Sequence, residues 1–134
     1  MKLTITMIAF LGLLPFSSGK HYPMTNDPSV PGASGTVTVQ KDKENGNLKV
    51  EVKVEHLANP ASLTPPANTY LVWVHANGSD AVKEGAIRVD KNLSGDLKVV
   101  TTSKEFDIFI TPEQSESAAT PGNLQVLRAH VSPL

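Results

Sequence analysis

The sequence predicts an all-β sandwich, and three observations carry that expectation. Ten prolines and nine glycines in 134 residues cut the chain into short pieces and leave little room for long helices. Leu48 to His56 (LKVEVKVEH) alternates strictly, with Leu48, Val50, Val52, Val54 and His56 on one face and Lys49, Glu51, Lys53 and Glu55 on the other. Seven short β-rich runs follow one another, each bounded by Gly, Pro, Asn or Ser. The length suits one domain, because two cores would leave each half too small to fold comfortably alone.

The elements follow in order. Lys20 to Ser34 carries three prolines and no apolar period, so it reads as an extended arm, free or lying along a sheet edge. Thr36 to Gln40 and Leu48 to His56 form a hairpin, with Asn45-Gly46 between them supplying backbone that tolerates positive φ. Asn59 to Asn68, with three more prolines, is a loop crossing between sheets. Tyr70 to His75 (YLVWVH) is apolar on both faces, as a central strand should be, and Trp73 is its natural core anchor. Further strands are expected at Ala86 to Val89, Leu97 to Thr102, Phe106 to Thr111 and Leu124 to Val131. Seven short strands at this spacing predict an immunoglobulin-like sandwich, and a small barrel would give the same string.

Ahead of the arm, Lys2 followed by the mainly apolar Leu3 to Phe16 and the small residues Ser17-Ser18-Gly19 reads as a secretory signal peptide cleaved after Gly19. The apolar stretch is short of the ~20 residues that span a bilayer, and Gly12 and Pro15 interrupt it, so a retained anchor is the weaker reading. The expected organisation is therefore signal peptide 1–19, arm 20–34 and sandwich 35–134. The implied location is secreted, periplasmic or cell envelope, without stable membrane insertion after processing. With no cysteine, stability must come from packing rather than disulfides.

Tyr70-Leu71-Val72-Trp73, Gly85-x-Ile87-x-Val89, Phe106 to Thr111 with Glu113 just after Pro112, and Pro121-Gly122 leading into Val126-Leu127 together resemble the extracytoplasmic C-terminal domain of anti-sigma-K-type factors. The resemblance spans Thr69 to Val131 and rests on core and turn positions, so it speaks for fold more than for function. It implies a free-standing exported relative of a sensor domain, without the sigma-binding region or membrane helix typical of that family.

Site chemistry is sparse. A formal charge of −1 offers no broad attraction for nucleic acid. No Gly-x-Ser-x-Gly elbow or phosphate-cradling glycine loop is present, and Asp90, Asp96, Glu105, Asp107 and Glu113 are scattered acids near strand ends. The expectation is accordingly not an enzyme. The candidate metal ligands, for copper or zinc, are His21, Met24, His56 and His75. His21 and Met24 would lie close to the new α-amine, and His56 and His75 end their strands. The nineteen-residue interval between the latter two matches no metal motif, and strand-end histidines bonded to loop backbone are the plainer reading. Asn77-Gly78-Ser79 and Asn92-Leu93-Ser94 fit the glycosylation pattern but read as ordinary turns in a bacterium.

The function expected from the sequence is a non-enzymatic exported module that binds a protein partner or associates with itself, with the arm and the Pro112 to Gly122 loop as contacts. The alternative is an exported metal-handling or small-ligand-binding protein.

Overall fold

The computed structural model describes residues 19–132, so the expected signal peptide lies outside the described residues except for Gly19. Nine strands occur among them: β1 (Lys20–Pro23), β2 (Thr25–Asn26), β3 (Ser34–Lys41), β4 (Leu48–Glu55), β5 (Thr69–Ala76), β6 (Val82–Ile87), β7 (Gly95–Thr101), β8 (Phe106–Glu113) and β9 (Leu127–Val131). They form two antiparallel sheets, ordered β1-β3-β4-β7 and β2-β9-β8-β5-β6. Apart from the two arm strands, these orders correspond to A-B-E and G-F-C-C′ of an immunoglobulin-type sandwich. No helix among the described residues is long and apolar enough to cross a membrane.

All seven expected strands are present, and the two extra ones come from the arm. Lys20–Pro23 pairs with β3 from Lys20↔Val39 to Pro23↔Thr36, and Thr25–Asn26 pairs with β9 in the other sheet. The chain changes sheets at Met24, whose N–H donates to the Gly35 carbonyl at 2.9 Å and whose side chain is buried. Val30 and Ala33 are buried too, so the arm, expected free or lying along a sheet edge, runs along an edge of each sheet and closes one side of the sandwich.

Parity fixes what each strand buries. Val50, Val52 and Val54 of β4 face Tyr70, Val72 and Val74 of β5 and Ile108 and Ile110 of β8 across the main core. The inward run of β4 stops at Val54. His56, expected to continue that face, instead takes φ 57° and is exposed, and the reversal lets Leu57 turn into the core while its N–H donates to the Leu93 carbonyl at 3.1 Å. Between β3 and β4 the Gly46 N–H donates to the Asp42 carbonyl at 2.8 Å, and Gly46 supplies the φ of 77° that the turn requires.

Trp73 is fully buried but outside the main core. Being one residue out of phase with Tyr70, Val72 and Val74, it points from the other face of β5 and packs with Leu71 and Phe109 in a second cluster. Strand β6 begins earlier than the expected Ala86, because a bulge opposite Val72 and Trp73 and Gly85 at φ 151° break the alternation that would have marked it.

Candidate functional site

The outer face of the five-stranded sheet holds a cluster of hydrogen-bonded ionisable side chains. Register aligns its outward residues in rows: His75, Asp107 and His130 across β5, β8 and β9, then Trp73, Phe109 and Arg128 in the next row. In the first row His130 Nδ1 lies 2.7 Å from Asp107 Oδ1 and Nε2 lies 3.0 Å from Glu105 Oε2. Both ring nitrogens face carboxylates. The Asp107 contact, then the Glu105 contact, raises the His130 pKa above the ordinary imidazole value, because each accepts best from the charged ring. All three side chains are about half exposed, at 53%, 54% and 57% for His130, Asp107 and Glu105.

Two shallow depressions flank this row. One of about 370 Å³ has Phe109 together with Thr25, Gln125 and Arg128 among its lining residues, and the other, about 260 Å³, includes Asn77 and Glu105. His75, Asp107 and His130 line both.

Above the rows, a strap from Pro112 to Gly122 covers the second apolar cluster. Trp73 Nε1 donates to Thr111 Oγ1 at 2.9 Å, Thr111 Oγ1 donates to Glu113 Oε2 at 2.6 Å, and the Gly122 N–H donates to the same carboxylate oxygen at 2.7 Å. Lys83 Nζ holds the Glu116 and Ala118 carbonyls, and Arg88 pairs with Glu116 at 2.6 Å. Ala118 thereby lies over Leu71, Trp73 and Phe109. The loop expected as a contact is thus fastened to the sheet it covers. Glu113→Ala should loosen it, leaving the Gly122 N–H and the Thr111 hydroxyl without their acceptor. We expect a loss of about 1–2 kcal/mol, with water at the exposed Gly122 limiting the cost. Denaturant unfolding, together with faster amide exchange at Ala118 and Gly122 than in wild type, checks this.

The four candidate metal ligands do not come together. His21 lies on the outer face of the four-stranded sheet, where Nδ1 is 2.9 Å from Thr38 Oγ1. Met24 is buried beside Gly35 between the sheets. His56 is exposed past the end of β4, and His75 faces out from the opposite sheet. Among the described residues no three of His, Asp and Glu are grouped so as to hold a metal ion. Asp90 accepts the Asn92 and Ser94 N–H groups, as a turn carboxylate does.

His130 carries no local sequence signal, because its partner Asp107 is twenty-three residues away and only the β8–β9 register joins them. The same holds for the Trp73–Thr111–Glu113 relay. The parity of Phe106 to Glu113 does place Asp107, Thr111 and Glu113 on one face, and that was the available signal.

Compared with known proteins, the chain matches no family model and no curated relative. What fold and surface define by themselves is a two-sheet antiparallel β-sandwich with a polar, ion-paired patch on one open sheet face.

Proposed function

We propose that this chain is an exported, non-enzymatic β-sandwich module of the cell envelope or exterior that binds a protein partner, a second copy of itself first of all, along the free edge of β7. The observation that carries this reading is the contrast between β7 and the other three sheet edges. β1 is four residues long and contains Pro23, β2 has two residues, and β6 is bulged. Strand β7 runs seven residues without a proline or a bulge, and Val100, 58% exposed, stands beside its open edge. A regular edge presents unpaired N–H and C=O groups to any chain that can add a strand, and charges standing on it restrict that chain to one with matching charges. Asp96 and Lys98, two residues apart on one face and opposite in sign, let an antiparallel second copy set unlike charges across the seam.

The resemblance to anti-sigma-K-type extracytoplasmic domains supports an exported location for such a module. Its Tyr70–Trp73 and Phe106–Thr111 segments lie in β5 and β8, the central pair of the five-stranded sheet. That pair supplies a scaffold, and the contact surface lies elsewhere.

Val100→Lys tests the proposal, because an exposed substitution should leave the fold intact while placing a charge at the seam. Sedimentation of the mature protein should show concentration-dependent self-association in wild type, weakened about tenfold or more by the substitution, equivalent to ~1.4 kcal/mol. A wild type that stays monomeric at high concentration, or a variant that associates equally well, sinks the β7 contact.

A further inference from the structure

We propose that Glu105, His130 and Asp107 form a proton-operated clamp that locks β9 against the start of β8. The geometry is a charged ring held from both sides. Asp107 reaches it from the strand paired with β9, and Glu105 reaches it from the turn that enters that strand. An imidazolium can donate to both carboxylates at once. A neutral imidazole has one N–H, so it keeps one contact and turns a lone pair toward the other carboxylate.

What the clamp holds is the last turn-free stretch of β9 and, through it, the arm. Two residues beyond His130 the Ser132 carbonyl accepts the Tyr22 hydroxyl at 3.0 Å, and β2 pairs with β9 at Arg128 and Leu127. Loosening β9 at His130 therefore reaches the attachments made by Tyr22 and by β2, while the Asp27 N–H, 2.9 Å from the Val126 carbonyl, ties the arm ahead of β9.

The groups facing His130 define the charge balance. From β8 comes Asp107, from the preceding turn Glu105, from β5 the neighbouring His75, and from β9 itself Arg128. Thr25 and Asn26 of β2 and Asn77 of the β5–β6 turn are uncharged, and Lys104 beside Glu105 is bonded to the Gly46 carbonyl. The two carboxylates contact the ring directly, and they set the sign. Because the folded pKa lies above the unfolded one, the stabilisation is fully present below about pH 6.5 and is lost as pH rises through the folded value. Half-exposed partners make it sensitive to salt.

The test is a histidine NMR titration from pH 5.5 to 9 with amide exchange on the full mature chain, comparing wild type, Glu105→Gln/Asp107→Asn and His130→Gln. In wild type, His130 should titrate above 6.5. Over that interval exchange at Ala129 to Val131 should rise about two- to fivefold relative to the β5 amides, the range an exposed ion pair supports. The double variant should bring the His130 midpoint back toward 6.5 and remove the extra rise, and His130→Gln should show no such rise at all. A wild-type midpoint at or below 6.5, or a β9-to-β5 exchange ratio that is constant with pH or changes equally in all three proteins, overturns the clamp.

Discussion

Trp73→Ala should lower the free energy of unfolding by about 3–5 kcal/mol, a large share of what a domain of this size has. The indole is fully buried beneath the strap, and its removal leaves a void between Leu71, Phe109 and Ala118. It also takes away the donor that Nε1 supplies to Thr111, at the head of the relay that fastens Gly122. The loss should therefore show twice: as a lower denaturation midpoint and as increased protease susceptibility between Pro112 and Gly122. A change below about 1 kcal/mol would mean that the cluster under the strap contributes little packing, contrary to the usual cost of deleting a large buried side chain.

Gly95→Ala should be nearly as damaging, for the opposite reason. Gly95 pairs with Val54 at the start of β7, and a β-carbon there would overlap the carbonyl oxygen of Arg88 while pressing on the Ile87 side chain. The obstruction is backbone, so no rotamer change relieves it, and the β6–β7 connection would have to move. We expect a loss of about 2–3 kcal/mol, at the upper end of the cost of overpacking. Gly32→Ala is the matched control, since a β-carbon there meets nothing within 4 Å. That variant should be neutral, or more stable by up to about 1 kcal/mol through a less flexible unfolded chain. Equal stabilities for the two variants in urea would show that Gly95 is not the close-packed position described.

Much of this fold could be read from the residues. The alternation of Leu48 to Glu55 is the visible half of a strand with one wet face, and the doubly apolar Tyr70 to Val74 belongs to a strand covered on both sides. The cover was harder to foresee. Nothing in the composition of Pro112 to Gly122 says that a glutamate at its start will accept the N–H of a glycine at its end. Strands β1 and β2 escaped notice because short pieces interrupted by prolines carry no period, and only β3 and β9 give them partners. Candidate ligands chosen by side-chain type scattered over opposite faces, whereas the cluster that exists required pairing information: Asp107 meets His130 because Phe106 pairs with Val131.

The arm's change of sheet at Met24 also has a mechanical consequence. Lys20 pairs with Val39 near one end of the sandwich, and Ser132 lies at that same end, tied to Tyr22. A force drawing residues 20 and 132 apart would load the β1 ladder from its tip and open its hydrogen bonds one after another, instead of shearing them together. The same pull loads β9 from Val131, so under tension this domain would yield by peeling at these two tips, with buried Met24 as the next point of resistance on the arm, while the β5–β8 pair at the centre of the other sheet stayed closed.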